Sequence, residues 1–289
     1  METHPFFDFY KKLYYNNNIK ELIIITIMER VREHYEEALE RFPEDRIVGI
    51  FLQGSQNYGL EVPNSDVDTK LIVVPTFEEI AMNRQPVSTT HIRANEEHID
   101  YKDIRLYIQT FRKQNLNFLE ILFTPYSIIN PLYEEEWARL VEAREAITHM
   151  NMYRSVQSMR GIALEKYHAM EHKYPSKIAI IDEHGYDNKQ LHHLRRVDDY
   201  LERYINGESY ESCLNPGPIK ESLRWEKMNF RPLEEARAIA DRAKEHVEFM
   251  AKEFFDRTPE EEDKNVLALL ESVQYNIMKI GIQEEFKKK

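Results

Sequence analysis

Gly54-Ser55-Gln56-Asn57-Tyr58-Gly59, followed by Ser65-Asp66-Val67-Asp68-Thr69-Lys70, is the stretch on which the reading of this chain turns. Two short apolar runs bracket it, Ile47 to Leu52 and Leu71 to Val74. Both are aliphatic and β-branched, so each is expected to be a buried strand. The first strand then ends in a glycine-serine turn, and the second opens with two carboxylates one residue apart. Side chains alternate between the faces of a strand, which predicts that Asp66 and Asp68 project together while Val67 faces the core. Two carboxylates that close repel unless cations offset the charge, and hard oxygen donors suit magnesium. Gly54 lets the backbone approach a ligand closely, and Ser55 adds a hydroxyl and an N–H suited to phosphate. A phosphate cradle beside a carboxylate pair is the equipment of phosphoryl or nucleotidyl transfer. The competing reading is a strand-turn-strand unit with an acidic, solvated edge.

A glycine-serine pair, ten residues, then Asp-x-Asp resembles the signature of the DNA polymerase β-like nucleotidyltransferase superfamily. The fuller run from Gly54 to Leu60, with Pro63-Asn64-Ser65-Asp66-Val67-Asp68 after it, is similar to the bacterial and phage branch labelled RlaP or YcgL-like. That resemblance extends to about residue 207. It implies an α+β fold: a small mixed sheet flanked by helices, then a helical domain closing over the site. It also implies attack by an acceptor on the α-phosphorus of an NTP, with release of pyrophosphate. Two Mg²⁺ ions, or Mn²⁺ in their place, would be held by Asp66, Asp68 and a third carboxylate from a neighbouring strand. Asp100 stands at that position and serves as ligand or base. Its rival, Asp103, is better suited to cap the helix that begins at Ile104. Gly54, Ser55 and Lys70 are counted with the nucleotide-binding residues. Asn117 to Phe123 resembles the family's Asn-x-x-x-Glu-Leu-Leu-Phe segment, which leaves Glu120 either close to the nucleotide or in a structural ion pair.

The rest of the chain is read around this motif. Residues 29 to 41 form an amphipathic helix pattern with Val31, Tyr35, Ala38 and Leu39 at helical spacing, ended by Pro43. A helical turn is expected from Phe77 to Met82, and a hairpin from Ser88 to Tyr101 with its turn at Ala94-Asn95-Glu96. In the second arm of that hairpin His98 and Asp100 share one face and Ile99 takes the other. A helix over 104 to 113 presents Ile104, Tyr107, Ile108 and Phe111 to the core. Pro125 and Pro131 frame a domain boundary, dividing the chain into an extension (1–28), a catalytic domain (29–130) and a helical domain (131–289). Asn130-Pro131 is expected to start a helix running to about Ala146. Further helices are expected over 151–173, 188–206, 232–256 and 260–284, with a frayed lysine tail at 287–289.

The helix over 188–206 carries Lys189, His193 and Arg196 at i, i+4 and i+7, one basic stripe beside an apolar one. The Lys-x-x-x-His-x-x-Arg pattern resembles a segment of the same family. It is assigned as a phosphate clamp, with Arg196 making bidentate contacts and Lys189 acting as a point charge. The alternative is an exposed basic face paired with acidic neighbours. His192 lies off the stripe. Tyr153, Arg154 and Arg160 are further candidates through their expected nearness to the cleft.

A net charge of −12 supplies no global field to draw in long nucleic acid, which favours an NTP and a short RNA end, a small molecule or a protein as partners. Cys213 is the only cysteine, so no intrachain disulfide forms and a reducing cytoplasm fits. No apolar run approaches the roughly 20 residues of a membrane helix. Two other functions share these residues: a non-catalytic nucleotide sensor, and a toxin that nucleotidylates tRNA or protein. Residues 1 to 27 lack the regularity that sets in at Met28, which is taken as the natural start; a packed aromatic arm of Phe6, Phe7, Phe9, Tyr10 and Tyr14 is the alternative.

Overall fold

The computed structural model describes residues 26–62 and 65–288. The aromatic arm lies outside them. Among the described residues helix α1 covers 26–39, and Ile27 is buried against the sheet.

Five strands follow in chain order: β1 (Ile47–Gln53), β2 (Asp68–Val73), β3 (Ser88–Ile92), β4 (His98–Asp103) and β5 (Ser127–Ile129). They lie side by side as β3-β4-β2-β1-β5. Only β2 and β4 run parallel, with Lys70 opposite Asp100; the other pairs are antiparallel. This is the mixed sheet expected from the sequence. Two short helices, α2 (Phe77–Ala81) and α3 (Ile104–Arg112), lie along the connections. Thr76 and Glu79 form a reciprocal capping box at the start of α2. Asp103 caps α3 by accepting from Arg105 N–H at 2.8 Å, as its sequence position suggested.

The faces of the sheet are covered differently. On one, Ile50, Leu71, Val73, Ile99 and Tyr101 pack with Val31 and Ala38 of α1. On the other, Phe51 and Ile72 join the main core, and Phe51 stacks on Trp137 with ring centroids 4.3 Å apart. That core continues into the helical half, so apolar burial, the main stabilising term in folding, joins strands and helices. The helices are α4 (Leu116–Leu119), α5 (Glu134–Glu142), α6 (Arg144–His149), α7 (Met152–Ala169), α8 (Ile178–His184), α9 (Asn188–Ile205), α10 (Tyr210–Leu214), α11 (Lys220–Met228), α12 (Leu233–Arg257) and α13 (Lys264–Lys287).

Several boundaries differ from expectation. Asn130 does not start a helix: its side chain accepts from Leu132 N–H and donates to Glu44 O, and α5 begins only at Glu134. That helix also stops at Glu142 rather than running to Ala146, with a separate helix following from Arg144. Residues between the framing prolines form β5, which adds to the edge of β1. Residues 260–263 are not helical, because Asp263 caps α13. In the lysine tail Lys287 still belongs to that helix and pairs with Glu284, and Lys288 meets Asp45 at 2.9 Å, while both side chains stay exposed. Residue 289 lies outside the described residues.

Candidate active site

The glycine-serine turn is held by one buried carboxylate. Gly54 has φ 108°, a left-handed conformation that side chains strain. Its N–H donates to Glu120 Oε1 at 3.0 Å. Glu120 is 4% exposed, and burial pushes its pKa up to about 7 against the opposing charges of Arg196 and Lys70. Glu120 thus contacts the turn itself, with the charges of Arg196 and Lys70 nearby. Beyond Gly54, Ser55–Asn57 is a 3-10 turn, fixed to β1 by Asn57 Nδ2 donating to Leu52 O at 3.0 Å.

The carboxylates occupy one end of the sheet. β2 begins at Asp68, so Asp66 precedes the strand rather than sharing it, which corrects the strand-alternation expectation. Val67 is nevertheless buried, and both Asp66 and Asp68 line one cavity of about 670 Å³. Asp68 Oδ1 accepts from His98 N–H at 2.9 Å. On β4, His98 and Asp100 alternate with buried Ile99 and Tyr101, as expected. Asp100 faces Lys70 Nζ at 3.4 Å and Thr90 Oγ1 at 3.3 Å, and neither Asp100 nor Lys70 lines the cavity. Lys70 is buried over the Phe118 ring at 4.1 Å, and that burial lowers its pKa.

The helical half contributes basic residues to the same cavity. Lys189, His193 and Arg196 of α9 all line it, together with Gly54 and Ser55. Arg196 is 7% exposed, and its guanidinium lies 3.6 Å from the Tyr58 ring centroid. Its Nε and Nη2 are buried without a hydrogen-bond partner, although buried polar atoms are ordinarily paired. Burial holds His193 uncharged, with its pKa well below the usual range.

Three cavity-lining lysines went unforeseen in the sequence: Lys166, Lys177 and Lys227. Lys227, near the end of α11, donates to Ser55 Oγ at 2.9 Å, Ser65 Oγ at 3.1 Å and Leu60 O at 3.2 Å. Burial is the largest cause lowering its pKa, to about 8. Buried Asn188 fixes that helix end, donating from Nδ2 to Glu226 O at 2.8 Å.

A family model described as RlaP, the RNA repair pathway DNA polymerase beta family, matches residues 31–197. The chain belongs to this family. The comparison with curated proteins gave no match. The matched RlaP span holds the turn, the carboxylates and the stripe on α9, but ends before Lys227.

Two carboxylates lining one cavity are a donor set suited to a hard divalent cation. Among the described residues of this RlaP-family chain, however, no three acidic, histidine or cysteine side chains gather at one point. The third expected ligand, Asp100, is held by Lys70. His192, set aside in the sequence, also lines the cavity and uses Nδ1 on Leu223 O at 2.8 Å. Tyr153, Arg154 and Arg160 do not line it: Tyr153 packs on Phe255, Arg154 pairs with Glu260, and Arg160 with Glu248. A second cavity, of about 430 Å³, is lined by Arg195, Arg231 and Arg242. There buried Glu226 pairs with both Arg195 and Arg231. No helix among the described residues is long and apolar enough to cross a membrane.

Proposed function

We propose that this chain is a nucleotidyltransferase that moves a nucleoside monophosphate from an NTP to an acceptor hydroxyl. The observation that carries this reading is the shared cavity. Asp66 and Asp68 line it, and Arg196 brings buried, unpartnered donors to the same cavity. Membership of a DNA polymerase beta family supports the same chemistry. The family's description as an RNA repair pathway favours an RNA end as acceptor over a small molecule or a protein.

In the reaction, an acceptor oxygen bonds to the α-phosphorus, and the bond from that phosphorus to the α–β bridging oxygen breaks. Pyrophosphate leaves with the electron pair, and the acceptor proton passes to a carboxylate. Ser55 and Lys227 hold the terminal phosphates, with Lys189 adding charge. Arg196 pairs its open N–H groups with phosphate oxygens in the bidentate manner open to a guanidinium. Glu120 keeps the Gly54 amide, and so the turn, in place. Asp66, Asp68 and Asp100 would hold two Mg²⁺ ions, or Mn²⁺, whose chemistry is to neutralise phosphate charge and lower the pKa of an attacking hydroxyl. That role would require Asp100 to leave its ion pair with Lys70.

Incubation of the protein with each labelled NTP, Mg²⁺ and total RNA, followed by gels and a pyrophosphate assay, tests the proposal. Metal-dependent label on RNA with release of pyrophosphate is the expected result. Tight nucleotide binding without turnover on RNA, protein or small-molecule extracts would replace the transferase with a sensor.

A further inference from the structure

Resting on that reading, we propose that Glu97 and His34 are positioning residues for the Asp66–Asp68 segment. They act from the face of the sheet opposite the cavity. Glu97 is fully buried and accepts the Val67 N–H at 3.0 Å on Oε1. Val67 is the residue between the two carboxylates and precedes β2, whose ladder starts at Asp68. A side-chain carboxylate therefore does for this amide what a neighbouring strand would otherwise do.

His34 of α1, also fully buried, bridges Glu97 to the next inward residue. Its Nε2 is 3.0 Å from Glu97 Oε2 and its Nδ1 is 2.9 Å from Thr69 Oγ1. A carboxylate accepts only, so Nε2 carries the hydrogen and Nδ1 takes the threonine hydroxyl. Burial lowers the His34 pKa to about 4, which keeps the ring neutral and this tautomer in force. Val67 and Thr69 are thus both pinned from below, and Asp68 between them is turned to the other face.

The clamp closes from above through the adjoining residue of β4. His98 N–H donates to Asp68 Oδ1 at 2.9 Å, while Glu97 takes Val67 N–H. Two consecutive residues thereby hold two consecutive residues by reciprocal bonds between main chain and side chain. Glu97 itself is held by Asn95 Nδ2 at 2.7 Å, Arg93 Nη1 at 3.0 Å and an ion pair with Arg30. A carboxylate fixed by that many donors has little freedom, and it passes this rigidity to the segment that bears Asp66 and Asp68.

Amide hydrogen exchange over 65–69 and Mn²⁺ affinity by electron paramagnetic resonance test the clamp in Glu97→Gln, His34→Leu and His34→Gln. Glu97→Gln should exchange at least about 10-fold faster over 65–69 and bind Mn²⁺ roughly 10–100-fold more weakly. His34→Leu should do the same to a lesser degree. His34→Gln, whose amide donates to Glu97 and accepts from Thr69, should restore most of what His34→Leu loses. If Glu97→Gln does not fold, Thr69→Val removes the bridging hydroxyl alone and should speed exchange over the same residues. Unchanged exchange over 65–69 in these variants, or a uniform rise across the sheet with Mn²⁺ affinity intact, overturns the clamp. Wild-type protein that neither binds Mn²⁺ nor turns over any NTP overturns the transferase reading instead.

Discussion

Lys227 Nζ lies 2.9 Å from Ser55 Oγ, a contact between residues 172 positions apart in the chain. It places a lysine of the helical half inside the turn expected to cradle phosphate. Burial holds that amine down to about 8, so much of it is neutral at pH 8 before a nucleotide binds.

A triphosphate beside Lys227 favours its charged form and raises its pKa again. NTP binding near pH 8 should therefore take up a proton. Calorimetry in two buffers of different ionisation enthalpy measures that uptake directly. Lys227→Met should reduce it and weaken NTP binding by about 10-fold or more. Equal uptake in the variant would assign the proton to another group.

Glu120 gives a pH dependence of opposite origin. Its folded pKa of about 7 stands above the ordinary value of 4.5, so the folded protein keeps the proton over a window in which the unfolded chain has lost it. The resulting stability is fully present below about pH 4.5 and is lost as pH rises through 7. Glu120→Gln keeps an acceptor for Gly54 N–H without the charge. Above pH 7 the variant should melt about 3–6 °C higher than the wild type, and the gap should close towards pH 5. A gap independent of pH would show that Glu120 ionises normally.

The carboxylate pair should be dispensable for folding and needed for transfer. Asp66→Ala with Asp68→Ala should lower pyrophosphate release by about 10³-fold or more, with the melting temperature unchanged or slightly raised as like charges are removed. Full turnover in the double variant would sink the mechanism.

Asp100 and Asp103 should separate cleanly. Asp100→Asn should cost several orders of magnitude in rate and, because buried Lys70 loses its counter-charge, about 1–3 kcal/mol of stability as well. Asp103→Asn retains the cap on α3 but loses charge against Arg105, whose Nε and Nη2 donate to it at 2.9 and 2.7 Å. That change should leave the rate nearly intact and cost about 1–3 kcal/mol of stability, because the pair includes a buried carboxylate. Denaturant melts and initial rates on both variants make the comparison.

Features governed by near neighbours were legible in the sequence. The turn at Gly54 needs a residue free to take φ 108°, and glycine stands there. The stripe of Lys189, His193 and Arg196 follows from helical spacing, and all three do line one cavity. Asp103 announced its capping role by its place before an amphipathic run. Glu97 was legible too, though it was passed over. Alternation puts it on the same face as Ile99 and Tyr101, and a carboxylate at a core position calls for buried donors.

What the chain alone determined is therefore the strand-turn-strand motif, the hairpin that follows it and the basic stripe of one helix, because turn conformation, periodicity and capping act over a few residues. The α+β class followed from the family resemblance that the motif carries. Only the tertiary structure decided that Lys227 enters the turn, that Glu120 holds Gly54, that Asp66 stands off the strand and that Lys70 engages Asp100. Each of those relationships joins segments distant in sequence. Their positions are set by how the apolar faces of the sheet and helices pack into a common core, and no local pattern encodes that packing.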